Sequence, residues 1–192
     1  MPAAPKHREK IVRSAAVLFR RQGYAATGTS QILALSGAPR GSLYHYFPAG
    51  KEQIACAAVE HAGDLVSGSL ARLIQREASP AGALREYGSL LAGWLADSGF
   101  RDGCPVTTTL LELAPASEAV TAAGRRVFGD WMDLFEQALA GSGAPSDEAR
   151  SLATLAVASL EGALVLARVD QDTAALLDVV ARLAGLFEAA AQ

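Results

Sequence analysis

The chain has 192 residues, 51% of them hydrophobic and 19% charged, which suits one or two globular domains and excludes a disordered tract. A net charge of −3 argues, taken whole, against a nucleic-acid partner, yet the charge is divided. Residues 1–52 carry eight basic side chains against Glu9 and Glu52, a net +6 that leaves −9 for the remainder. A basic head on an acidic body is the footprint of a DNA-binding segment joined to something else. Alanine and leucine dominate and strand formers are sparse, so the expected fold class is all-α. Cys56 and Cys104 show neither metal-ligand spacing nor a disulfide framework, and they read as reduced residues of a cytoplasmic protein. No metal and no cofactor is expected. Met1–Lys10 has no apolar signal region and reads as a loose basic arm. The longest apolar run, Leu152–Ala167, is interrupted by Glu161 and falls short of a bilayer span, so it reads as a core helix and no membrane partner is expected.

In chain order, Lys6–Gln22 is the first predicted helix, with Ile11, Ala15, Leu18 and Phe19 as its inward stripe and Gly23 as its C-cap. Thr27–Lys51 then splits into two short helical patterns on either side of Ser36-Gly37-Ala38-Pro39. The first takes Thr29 as N-cap and Ile32, Leu33 and Leu35 as apolar residues. The second opens on Pro39, where a missing N–H costs nothing. Two helices too short to stand alone, joined by a glycine turn, make a helix-turn-helix whose second helix enters the major groove. Arg40 can donate two hydrogen bonds to a guanine edge, Gly41 allows close backbone approach, and Ser42 can reach a base or a phosphate. Tyr44, His45, Tyr46 and Lys51 are the expected phosphate contacts, joined by Thr29 and Ser30 as DNA-facing residues. Leu43 and Phe47 face inward.

The residues Gly23-Tyr24, Thr29, Ile32, Ser36-Gly37-Ala38-Pro39-Arg40-Gly41-Ser42-Leu43-Tyr44-His45-Tyr46-Phe47 and Lys51 together resemble the DNA-binding domain of the TetR family of bacterial repressors. Pro39 stands where that family usually has a capping Ser, and Tyr46 where it usually has His. Pro48-Ala49-Gly50 is one residue longer than usual. The resemblance implies an N-terminal three-helix DNA-binding domain, residues 1–50, and a six-helix C-terminal ligand-binding and dimerisation domain, residues 51–192. It also implies a homodimer closed by a bundle of the last two helices of each subunit. Gly103-Cys104-Pro105-Val106 and Ser159-Leu160-Glu161-Gly162-Ala163-Leu164 look like the LmrA/YxaF branch, which is associated with regulation of multidrug resistance genes.

The helix count read from the residues agrees. A long helix runs from Lys51 to about Arg76 with Ile54, Val59, Leu65, Leu70 and Leu73 inside. Ser79-Pro80 starts another, reaching about Asp97 and including Tyr87, Leu90, Leu91, Trp94 and Leu95. Cys104–Leu113 is short. Ser117 caps a helix to about Ala140 that buries Val120, Val127, Phe128, Trp131, Leu134, Phe135 and Leu139. Ser146 caps the next, which is apolar nearly all round as far as Arg168. The last holds Leu176, Val180, Leu183 and Phe187 on one stripe, with Leu177 and Ala184 beside them. Two such apolar helices suit pairing with a second copy.

A ligand site in such a body is an apolar cavity with a few polar groups. Its candidate walls are Trp94, Phe100, Val106, Leu110, Trp131 and Phe135, with Thr108, Glu112 and Glu161 as polar anchors; for the aromatics, plain core packing accounts for the same pattern. Glu161 can equally pair with Arg168, two turns along the same helix. Phosphate-loop, HExxH and GxSxG patterns are lacking, and the chain is not expected to be an enzyme. The favoured reading is a dimeric repressor of a palindromic operator, released by a small, largely apolar effector such as a drug or antibiotic. A helical small-molecule-binding protein and a ligand-independent DNA-binding repressor are the alternatives.

Overall fold

The computed structural model describes residues 5–191. Among them are nine helices and no strand: α1 Pro5–Gln22, α2 Thr29–Ser36, α3 Arg40–Tyr46, α4 Lys51–Arg76, α5 Pro80–Asp97, α6 Pro105–Leu113, α7 Glu118–Gly141, α8 Ser146–Asp170 and α9 Ala174–Ala190. α1 begins at Pro5, one residue before the expected Lys6, so the expected basic arm overlaps its first turns; Met1–Ala4 lie outside the described residues.

The chain forms two compact units. One holds the residues up to Asp64 together with Cys104–Val127; the other holds Leu65–Gly103 and the residues from Phe128 onward. This division differs from the expected boundary between residues 50 and 51. The reason is that α6 packs on α1, so it joins the head, while α4 and α7 each contribute to both units. In the head unit, Ile11, Val12, Ala15 and Phe19 of α1 are buried along with Ile32, Leu43, Phe47, Ile54, Val59 and Val106. In the other unit, α9 packs on α5 and α8. Leu176, Val180, Leu183, Ala184 and Phe187 are buried there, with Phe135 and Phe187 edge to face, 5.8 Å between ring centroids. Gly88 of α5 admits Val180 of α9: a Cβ at this glycine would lie 2.6 Å from Val180 Cγ2.

Local chemistry sets most helix ends. Ser79 Oγ accepts the Gly82 N–H at 3.1 Å, and Ser117 Oγ accepts that of Val120 at 3.3 Å, both as expected for N-caps. The caps of α2 and α8 fall one residue earlier than expected, and α3 starts one residue later, after Pro39 rather than on it. Gly28, not Thr29, caps α2, and its N–H is taken by Gln31 Oε1 at 2.7 Å. Pro39 caps α3 and Pro145 caps α8, so Arg40 and Ser146 are the first helical residues. A proline immediately before a helix supplies a fixed φ without a donor to satisfy.

Some apolar residues of the predicted helices do not face inward. Leu65 is 60% exposed and Trp94 49% exposed, and Leu35, Leu90 and Leu177 are also on the surface. The helix containing Leu152–Ala167 extends from Ser146 to Asp170 and by length and composition reaches what a bilayer crossing requires. Its inner face, with Leu152, Ala156, Leu160, Ala163 and Ala167 buried, packs on α9. That is how a core helix uses the same composition.

Candidate nucleic-acid interface

The head unit builds a reading surface from two short helices and the turn between them. Gly37 adopts a left-handed conformation with φ 63° and returns its N–H to Leu33 O at 3.0 Å, ending α2. Glycine occupies this conformation without the penalty a Cβ brings. Ser36 Oγ then accepts the Ala38 N–H at 3.2 Å and donates to Leu33 O at 3.1 Å. Ser42 N–H reaches back to Pro39 O at 2.9 Å and opens α3. Leu43 and Phe47 are buried and hold α3 to its neighbours.

The outward side of α3 presents Arg40, Gly41, Tyr44 and His45, and Tyr44 is 69% exposed. Ser30 is exposed at the start of α2, beside half-buried Thr29. Tyr46 is half-buried, its ring edge on to His45 at 4.9 Å between centroids. Ser42 is turned inward and buried, on the side of Leu43, away from the surface expected for it. Lys51 opens α4, and its Nζ sits 4.0 Å from the centroid of the Tyr24 ring. Partial burial draws its pKa down while Glu112 opposes the shift. Burial, then Glu52 and Glu112, push the Tyr24 phenol up, so it stays a neutral hydrogen-bond donor.

The α1–α2 turn is held from several sides. Gly23 closes α1 with φ +83°, and buried Thr27 donates from Oγ1 to Gly23 O at 2.7 Å. The side chain of Glu112, on α6, reaches this turn. Its Oε1 accepts the Tyr24 N–H at 2.7 Å and its Oε2 the Ala25 N–H at 2.6 Å. Glu52 of α4 accepts a hydrogen bond from Ser117, and Arg126 of α7 pairs with Glu60 of α4. These contacts were not foreseen from sequence, because nothing local to Glu112 announces which turn, 88 residues away, its carboxylate meets.

The family described as "Bacterial regulatory proteins, tetR family" matches residues 11–58. The family described as "Transcriptional regulator LmrA/YxaF-like, C-terminal domain" matches residues 80–182. An HTH-type transcriptional regulator of Mycobacterium tuberculosis is 40% identical over 91% of this chain and 90% of its own length. The chain belongs to the TetR family. It is a transcriptional regulator with a DNA-binding helix-turn-helix head and no enzymatic activity. Within the family, the HTH-type transcriptional regulator LmrA of Bacillus subtilis is 31% identical over 90% of this chain and 92% of that protein. A solved TetR regulatory protein from Rhodobacter sphaeroides shares the fold, with a TM-score of 0.81 at 23% identity over 92% of this chain and 96% of that one.

The residues expected to wall a ligand cavity divide between the two units. Trp131, Phe135 and Glu161 line a small apolar cavity of about 20 Å³ together with Val66, Leu70, Tyr87, Leu91, Val157, Leu160 and Leu164. Each wall helix contributes residues three or four apart, a spacing legible in the sequence; which helices converge was not. Trp94 is on the surface and Phe100 lies in the left-handed turn after α5 with φ 59°. Val106, Thr108, Leu110 and Glu112 belong to the head unit. Val106 is buried there, Thr108 Oγ1 donates to Cys104 O, and Leu110 packs over Gly124. Glu112 is engaged with the α1–α2 turn, as described.

Proposed function

We propose that this regulator is a repressor that binds a near-palindromic operator as a homodimer through α3 and is released by a small, largely apolar effector. The observation that carries the reading is the outward row Arg40, Gly41, Tyr44 and His45 on a helix held by buried Leu43 and Phe47. Arg40 reads a base edge, while Tyr44, His45, Tyr46 and Lys51, with Thr29 and Ser30 on α2, position the head on the phosphates. The dimer forms through α8 and α9. On α8, Leu155, Val165, Leu166 and Val169 are exposed although large and apolar, and helical periodicity places them with Gly162 on one face. A surface of this kind favours a second copy of itself across a two-fold axis. Two recognition helices then meet major-groove faces separated by about 34–36 Å. The regulator acts in the cytoplasm, where the operator is.

The effector occupies the cavity walled by Tyr87, Trp131, Phe135 and Leu160, with Glu161 as its polar anchor. At about 20 Å³ the cavity holds little more than one water, whereas drug-sized ligands occupy sites of roughly 300–1,000 Å³. The effector therefore binds an expanded conformation, and α4, continuous from Lys51 to Arg76, carries that change toward the head. Linkage requires the effector to bind the DNA-free form more tightly by the same factor by which it weakens operator binding, of order 5–150-fold.

The test is binding to DNA from the region upstream of the chain's own gene, followed by fluorescence anisotropy, with stoichiometry from sedimentation. Two chains per duplex, released by an apolar compound found in a thermal-shift screen, is the expected result. A monomer that binds tightly refutes the dimeric reading. A compound with equal affinity for free and operator-bound protein refutes the switch.

A further inference from the structure

We propose that Glu112 is a positioning residue for operator recognition: by accepting two successive main-chain N–H groups it fixes the α1–α2 turn, and through that turn the presentation of α2 and α3. The inference rests on the DNA-binding role of the head and adds to it a residue on α6, outside the helix-turn-helix.

The geometry is specific to a carboxylate. Oε1 takes the Tyr24 N–H at 2.7 Å and Oε2 the Ala25 N–H at 2.6 Å. These are charge-assisted bonds in the short range for N–H donors. A carboxylate has two acceptor oxygens and no donor, so it satisfies both amides, whereas a carboxamide of the same shape satisfies one and turns an NH₂ toward the other. The approach is close enough that a Cβ on Gly23 would collide with Oε1. Gly23 is thus required twice, for its positive φ and for the room it leaves the carboxylate.

What the clamp holds is the lead-in to DNA. Two residues separate Ala25 from Gly28, the cap of α2, and Thr29 and Ser30 open that helix. Thr27 N–H returns to Tyr24 O at 3.0 Å, so a displacement of Tyr24 is passed to the start of α2 within one turn of backbone. The Tyr24 ring in turn carries the Lys51 ammonium at 4.0 Å, tying the same turn to the start of α4. Without Glu112 the turn must be ordered when the head docks, and that ordering cost is taken from operator affinity. Nothing in the arrangement places Glu112 itself against a phosphate, so the number of counterions released is unchanged.

The experiment compares the full-length chain with Glu112→Gln and Glu112→Ala, measuring operator affinity over a salt series together with amide hydrogen exchange. In Glu112→Gln one of the Tyr24 and Ala25 amides loses protection, and in Glu112→Ala both do, while the amides of α5 and α9 keep theirs. Operator affinity falls about 5- to 10-fold for each bond lost, with an unchanged dependence on log salt concentration. Affinities within twofold of wild type, or unaltered protection at both amides, overturn the proposal. Protection lost throughout α5 and α9 as well also overturns it, because Glu112 then supports the fold as a whole rather than the presentation of the head.

Discussion

Gly88→Ala tests the packing of α5 on α9 through a change of sign. The new Cβ would lie 2.6 Å from Val180 Cγ2, 2.8 Å from Cγ1 and 3.1 Å from Cβ. Val180 is buried and, being β-branched in a helix, has one strongly preferred rotamer, so it has nowhere to turn. Overpacking of this kind costs about 1–3 kcal/mol, while replacing glycine within a helix returns about 1 kcal/mol. The net expectation is a loss of about 1 kcal/mol, or roughly 2–4 °C in Tm for a chain of this size. Val180→Ala removes both γ carbons and is destabilising by itself, at about 0.8 kcal/mol for each carbon lost from the core. In that background both γ-carbon contacts are gone and the remaining Cβ, at 3.1 Å, has only to give by a few tenths of an ångström, so the helix-propensity gain should prevail and Gly88→Ala should now raise Tm. The assay is thermal unfolding of the four proteins at one fixed concentration, since association of any kind makes Tm depend on concentration. If Gly88→Ala stabilises both backgrounds, the Gly88–Val180 contact does not set the α5–α9 spacing and the reasoning fails.

Arg40→Ala should weaken operator binding by about 1–3 kcal/mol and relax preference at one base pair, whereas Lys51→Ala should weaken all sequences about equally and lower the salt slope by about one; a panel of operator variants separates the two, and uniform losses in both would remove Arg40 as a base reader. For Cys56, burial pushes the thiol pKa up, Glu60 and Glu52 add to the shift and Arg126 opposes it, so thiolate is scarcer in the folded chain. The folded value lies above the unfolded one, so the associated stability is present below the ordinary thiol pKa and lost as pH rises through the folded value. Alkylation near pH 8.5 should accordingly be slower at Cys56 in the native protein than in denaturant, and equal rates would contradict the shift.

The residues by themselves determined a good deal. The run from Gly23 to Lys51 specified the helix-turn-helix because its signals are local: glycines that close α1 and α2, a proline that fits at a helix start and not in its interior, and apolar residues spaced to fall on one side. Ser79 and Ser117 declared their caps for the same reason, their hydroxyls bonding N–H groups three residues on. Periodicity placed Leu176, Val180, Leu183 and Phe187 on the buried stripe of α9, where they are found. Tertiary structure decided what depends on partners distant in the chain. Leu65 and Trp94 fit helical stripes as well as their buried neighbours do, yet they face solvent, because periodicity identifies a face and not what covers it. Glu112 has the composition of a cavity anchor, but α6 packs on α1 and delivers its carboxylate to the backbone of the α1–α2 turn. Main-chain N–H groups have no residue identity, so a side chain that recognises them leaves no partner to be read in the sequence; only the path of the chain in space brings the two together.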